Sequence, residues 1–159
     1  KPLEKNAYIV NVGDDSKPVT VAAAAPQIEP VLSLISSADP VSGQKVFKKC
    51  AACHSVQSGG KNKVGPNLYQ VLNAKMGAKD GFNYSSALKA FEGASAWDYS
   101  ALNSFLKKPK AYMPGTKMGF AGLKKVGDRA AVIAYLRTLS DDPADLPTAD
   151  AIAKEATGG

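Results

Sequence analysis

Cys50-Ala51-Ala52-Cys53-His54 contains both cysteines and the only histidine of the 159-residue chain. Two residues between the thiols set the sulfurs, on a helical turn, at about the reach of two neighbouring vinyl groups, and the adjacent imidazole then projects toward the metal. The C-x-x-C-H spacing therefore reads as a haem c attachment site, with thioethers at Cys50 and Cys53 and His54 as an iron ligand. Two other readings of the same residues are weaker. A redox dithiol sits in an alternating strand and helix pattern, which is not found around it. Structural zinc fails on ligand count, because a third cysteine and a second histidine are missing.

The opposite face of the iron needs a second ligand, and Met76, Met113 and Met118 are the candidates. Context selects Met118. It closes Met113-Pro114-Gly115-Thr116-Lys117-Met118, a non-helical loop after Pro109 that can be held across the haem. A thioether is soft and neutral, so it favours ferrous iron and raises the potential relative to two imidazoles. Met113 and Met76 are left to core packing.

Around these groups the pattern is helical. Asp39 caps a helix with Pro40 at its first position, and Val46, Phe47 and Cys50 lie on one face of it. Gly43 in this helix is a poor helix former, which points to close contact with another helix. From Asp128 as cap, Val132, Tyr135, Leu136 and Leu139 recur at i, i+3, i+4 and i+7, giving a second helix that ends near Ser140 and crosses the first. Asp98 caps a third, with Leu102, Phe105 and Leu106 inward, limited by Pro109. Short helical turns fit residues 68–72 and 84–91. No period-2 strand or internal repeat is evident, so the expected fold is all-α.

Composition divides the chain into three segments. Residues 1–39 carry several prolines and little core-forming sequence, and read as a flexible tether of about 35 Å r.m.s. span, although residues 28–35 could form a short helix on the domain. Residues 40–140 form the haem domain, and residues 141–159 an acidic, Ala-rich, weakly helical tail. The formal charge of +6 is unevenly spread: residues 41–140 hold sixteen Lys/Arg against four Asp/Glu, a net +12, while the first forty net −2 and the last nineteen −4. No apolar run approaches the roughly 20 residues that span a bilayer. Since haem of this kind is attached on the far side of the inner membrane, an export signal or anchor is expected before Lys1.

Beside the attachment motif, the chain carries Gly65-Pro66-Asn67-Leu68, Gly81-Phe82-Asn83-Tyr84-Ser85, Trp97 and Pro114-Gly115-Thr116-Lys117-Met118 in order. Over about residues 39–140 it resembles the class I cytochromes c, close to the mitochondrial type and similar to the haem domain of membrane-anchored bacterial cytochromes c. The resemblance implies an all-α fold with crossing N- and C-terminal helices around the haem, with His54 and Met118 axial. It implies that the Pro66 carbonyl accepts the free N–H of His54, that Tyr84 and Trp97 donate to a haem propionate, and that Thr116 assists on the Met118 side. Phe105 replaces a usual tyrosine, Leu88 a usual asparagine, and Ala74 an arginine that often supports a propionate. Fewer polar groups should therefore surround this haem.

With both axial positions filled, iron has no open site for dioxygen or peroxide, and the remaining chemistry is outer-sphere electron exchange. The expected protein is thus a carrier and not an enzyme. Lys48, Lys49, Lys61, Lys63, Lys107, Lys108, Lys110, Lys117, Lys124 and Lys125 flank the segments expected around the haem edge, and acidic residues are nearly absent there. Such a one-signed surface steers acidic partners. The expected partners are acidic redox proteins, a cytochrome bc1-type quinol-oxidising complex and a terminal oxidase, met by a monomer on the periplasmic side of a bacterial inner membrane. Nucleic acid is not expected, because no recognition motif accompanies the charge. A gas-binding or peroxidatic haem protein, and a fixed subunit of a larger oxidase, are the rival readings.

Overall fold

The structure is a computed structural model that describes residues 28–157. Most of the segment read as a tether, residues 1–27, lies outside the described residues. Seven helices occur among the described residues: α1 (Leu32–Ile35), α2 (Pro40–Phe47), α3 (Ser86–Lys89), α4 (Tyr99–Lys107), α5 (Pro109–Tyr112), α6 (Val126–Thr138) and α7 (Ala149–Ala156). No strand forms among these residues; a single antiparallel bridge joins Lys75 and Ala96. None of the helices is long and apolar enough to cross a membrane.

α2 starts where its sequence says it should. The Asp39 carboxylate accepts from the backbone N–H groups of Val41 and Ser42 at 3.0 and 3.2 Å, and from the Ser42 hydroxyl at 2.8 Å. Those bonds satisfy donors that the first helical turn leaves orphaned, and they hold the Asp39 carboxyl below its usual range. Pro40, with no N–H to satisfy, occupies the first turn. α2 then lies against α6 in the most extensive interhelical contact of the molecule. A methyl group at Gly43 would collide with the Ala131 carbonyl and come within 2.9 Å of the Tyr135 Cβ, so glycine is what lets the two backbones meet. Next to this contact Phe47 tilts onto Tyr135, with ring centroids 5.5 Å apart.

α6 departs from expectation at its start. Lys125 is the N-cap and supplies no side-chain bond, while Asp128 sits inside the first turn, where its charge faces the positive end of the helix dipole. The helix stops at Thr138, with Leu139 as C-cap. Its inward row is Arg129, Val132, Ile133 and Leu136, all 3 % exposed or less. α4 meets expectation: Asp98 accepts from Ala101 N–H at 2.8 Å, and Leu102, Phe105 and Leu106 are buried.

Residues 68–72 do not form the expected helical turn. Gln70 and Asn73 adopt left-handed φ of 61° and 66°, and their N–H groups bond the carbonyls of Leu139 at 2.6 Å and Trp97 at 2.8 Å. Tertiary partners have taken the donors that a helix would have used. The helical stretch expected over 84–91 shortens to α3, capped by the Ser85 hydroxyl on Leu88 N–H at 3.0 Å.

Both flanks pack on the domain. The short helix allowed for within residues 28–35 forms as α1 and enters the core, with Val31 and Ile35 0 % and 2 % exposed. The tail is also seated. Tyr69 donates to the Asp141 carboxylate at 2.9 Å, Arg137 to the Ala144 carbonyl at 2.6 Å, and Tyr99 to the Asp145 carbonyl at 2.7 Å. Beyond these bonds comes α7, capped by Thr148. Its Glu155 accepts from Leu32 N–H at 2.7 Å, so the tail helix caps α1, which has no side-chain cap of its own.

Candidate functional site

The turn bearing the motif is a continuation of α2. Cys50 N–H bonds the Phe47 carbonyl at 2.7 Å, and the N–H groups of Cys53 and His54 both bond the Cys50 carbonyl at 3.0 Å. One tight turn thereby carries all three groups. Both cysteines are free thiols; Cys50 is half-buried and Cys53 exposed. Burial pushes the Cys50 thiol up, with Cys53 adding to the shift.

His54 is oriented by its neighbour strap. Its Nδ1 lies 2.7 Å from the Pro66 carbonyl. A carbonyl only accepts, so Nδ1 must carry the proton, and the Nε2 lone pair is left free to bind a metal. Burial lowers the imidazole pKa more than the Pro66 bond raises it, which favours the neutral, ligating form. Gly65 makes the approach possible, because a Cβ there would run into the imidazole ring. The strap is fastened twice more: Gly65 N–H bonds the Cys53 carbonyl at 2.7 Å, and the Lys63 ammonium bonds the Ala51 carbonyl at 2.7 Å. Asn67, 3 % exposed, ties the next turn through Ser55 and the Gln57 carbonyl, both at 2.9 Å.

On the other segment, α5 leads into the methionine loop. Met113 is 1 % exposed and serves as core, as expected, and Met76 is half-buried against the core. Met118 is half-buried on a loop turned by Gly115 at φ 91°, with its own N–H on the Thr116 hydroxyl at 3.3 Å. Lys117 bonds the Asn83 carbonyl at 3.2 Å, which links this loop to the segment carrying Tyr84.

Tyr84 stacks edge-on with Phe82 at 4.9 Å, and its hydroxyl accepts from Lys79 N–H at 2.9 Å. Burial raises its pKa, so the phenol keeps a proton to donate. Trp97 is 9 % exposed and packs on Phe105 with centroids 5.0 Å apart. Its indole N–H makes no hydrogen bond among the described residues, so it is free to donate to a ligand carboxylate. Phe105 also faces Tyr112, and Leu88 packs on the core, so the positions that depart from the family pattern present apolar surface. An imidazole with a free lone pair, two thiols beside it, a half-buried thioether and an indole N–H free to donate form a set that fits a covalently held haem.

Of the ten lysines expected to dock partners, Lys48, Lys49, Lys61, Lys63, Lys108, Lys110, Lys117, Lys124 and Lys125 are exposed. Lys107 is the exception: it is half-buried and pairs with Glu29 at 2.8 Å. It belongs to a cluster that sequence reasoning missed. Arg129, fully buried, donates to Asn103 Oδ1 at 2.7 Å, to the carbonyls of Leu123 and Lys124 at 2.8 and 2.9 Å, and to Glu29 Oε1 at 2.7 Å. The readable signal was a guanidinium on the apolar row of α6, one turn before Val132 and Ile133.

Residues 40–140 match the protein family described as Cytochrome c. The chain is 48 % identical over 153 residues to a cytochrome c homolog of Bradyrhizobium diazoefficiens, covering 94 % of this chain and 81 % of that protein. It is 47 % identical over 106 residues to cytochrome c2 of Rhodomicrobium vannielii, covering 67 % of this chain and 83 % of that one. The structure is similar to that of cytochrome cH from Methylobacterium extorquens, with a TM-score of 0.58, 42 % identity, and coverage of 63 % of this chain and 98 % of that chain. The similarity to the first relative runs beyond residues 40–140, into the flanks that pack on the domain.

Proposed function

Because this chain belongs to the cytochrome c family, it binds one covalent haem c and transfers electrons without being an enzyme, and we propose that it takes them singly from a bc1-type quinol-oxidising complex and delivers them to a terminal oxidase. The work is done on the periplasmic side of a bacterial inner membrane, with the N-terminal segment as tether to an anchor. The observation that carries the reading is the 2.7 Å contact of His54 Nδ1 with the Pro66 carbonyl, made beside two free cysteines.

Bound at this site, haem c supplies a one-electron couple whose potential is raised by a histidine and methionine ligand pair over two histidines. Cys50 and Cys53 hold it covalently. His54 presents Nε2, and Pro66 fixes the ring and strengthens the lone pair by accepting the Nδ1–H hydrogen bond. Met118 gives the second ligand from a loop that Thr116 steadies. Tyr84 and Trp97 offer an O–H and an N–H to a haem carboxylate, whose burial would otherwise be costly. Phe105 and Leu88 keep water away. The nine exposed lysines steer acidic partners toward the haem edge; Lys107, already paired, does not contribute.

A redox titration of the holoprotein followed by its visible spectrum tests this reading. Reversible one-electron behaviour with a thioether-to-ferric-iron band in the far red is expected, and Met118→Ala should abolish the band and lower the potential. A high-spin ferric spectrum in the unaltered protein would show an open iron and overturn the carrier assignment.

A further inference from the structure

An open cavity of about 570 Å³ lies beside Tyr84, bordered by Met76 and Leu88 and by three lysines, Lys75, Lys79 and Lys89. No aspartate or glutamate lines it. Three lysines and no acid around one cavity favour an anion. The three are not equivalent: Lys75 and Lys89 are exposed, whereas Lys79 is half-buried.

Lys79 is also the one that its surroundings hold in place. Its ammonium donates to the Tyr69 carbonyl at 2.7 Å, which uses one of three protons and leaves two for a ligand. Its backbone N–H bonds the Tyr84 hydroxyl at 2.9 Å, so one residue fixes both its own charge and the phenol that offers an O–H. Lys79 and Tyr84 both line this acid-free cavity, so an ammonium and a phenol can hold one carboxylate there by charge-assisted hydrogen bonds. The arginine that often supports a propionate is Ala74 here, and Ala74 cannot supply charge.

We propose that Lys79 is the cation that neutralises a haem carboxylate at the Tyr84 side of the site, acting as a charge partner that tunes the potential. This rests on the reading that Tyr84 faces that carboxylate. A cation held near the carboxylate offsets its negative charge and so stabilises ferrous iron relative to ferric. Removing it must lower the potential.

Redox titration of the holoprotein at low ionic strength, with Lys79→Gln and Lys89→Gln compared, tests the assignment. The two substitutions change net charge equally, and both lysines line the cavity, but only Lys79 is half-buried and anchored. Lys79→Gln should shift the ferric-to-ferrous equilibrium about threefold to tenfold toward ferric, the upper figure being about 59 mV for a one-electron couple. Lys89→Gln should give less than about half of that shift, since an exposed charge acts through the high dielectric of water. Lys79→Arg should keep the potential of the unaltered protein; if Lys79→Gln does not fold, Lys79→Ala is read against Lys79→Arg in the same titration. Equal shifts at the two lysines, or no shift at Lys79, overturn the assignment. Inorganic phosphate added at constant ionic strength should leave the potential unchanged; a saturable phosphate response lost in Lys79→Gln would give the cavity to a soluble anion and overturn it too. A haem c spectrum accompanied by equal shifts sinks Lys79 alone, whereas absence of a haem c spectrum removes the underlying reading with it.

Discussion

Arg129 is the residue at which charge and burial conflict most. A guanidinium at 0 % exposure is costly unless its donors are used, and here Asn103, two carbonyls and Glu29 take four of its five N–H groups. Glu29, bonded by Lys107 first and also by Arg129, is held down to about 2 from a usual value of 4.5. A carboxylate whose folded pKa is depressed stabilises the fold above its unfolded pKa, and that contribution is lost as pH falls from about 4.5 to about 2. Glu29→Gln should therefore lower the urea midpoint at neutral pH and flatten its fall across that acid window. Equal acid sensitivity of the two proteins would show that the bond carries no pH-linked stability. Only the guanidinium's place on the apolar row of α6 was legible in the sequence; its partner was not, because Glu29 lies 100 residues from Arg129 and only folding joins them. His54 was legible from the C-x-x-C-H spacing, and the role of Pro66 only through the resemblance to the class I cytochromes c; the need for glycine at position 65 emerges from the structure. The pairing of His54 with Pro66 at 2.7 Å required only that a loop return over one turn.

Among the elements, α2, α4 and α6 carry their instructions locally, and α1 and α7 do not. Asp39 caps α2 and Asp98 caps α4, and apolar spacing gives the buried faces of α4 and α6. α1 has only four residues and no side-chain cap, so its N-terminus waits for Glu155 from the far end of the chain. An Ala-rich acidic tail read alone has no reason to stay folded; packed through Ala151 and Ile152, it has one. The start of α6 was misplaced because Asp128 looks like a cap, yet a first-turn carboxylate serves the dipole equally well. Gly43 is the point where local and global demands oppose each other. Alanine there would improve intrinsic helix propensity by about 1 kcal/mol, but its methyl group would strike the Ala131 backbone, which cannot swing aside. Overpacking of this kind costs about 1–3 kcal/mol or more, so the collision wins. Gly43→Ala should destabilise the holoprotein by about 1–2 kcal/mol in urea denaturation; a gain in stability would mean that α2 and α6 have room to separate.

At the scale of the molecule, several acidic residues are engaged away from the exposed lysines. Glu29 serves Arg129 and Lys107, Asp141 accepts from Tyr69, and Glu155 caps α1. Among the described residues, none of the nine exposed docking lysines takes part in an ion pair. Among the described residues the positive charge of these nine lysines thus stays unpaired, which a count of charges along the sequence could not establish without knowing where each acid would fold. The same count could not separate Lys107 from its neighbours, because its pairing is tertiary. This separation gives the docking proposal a sharp internal control. Reversal of Lys48, Lys49 and Lys63 to glutamate should slow electron delivery to a solubilised terminal oxidase by about tenfold to a hundredfold at low salt, measured by stopped flow. The difference should shrink as salt rises, since the screening length is about 8 Å at physiological ionic strength. Lys107→Glu makes the same charge change per site, but places a second carboxylate against Glu29, so it should reduce stability while leaving the association rate per reversed charge much less affected. If Lys107→Glu slows association as much as reversal of an exposed lysine does, net charge alone drives the encounter, and the exposed lysines do not define a docking face.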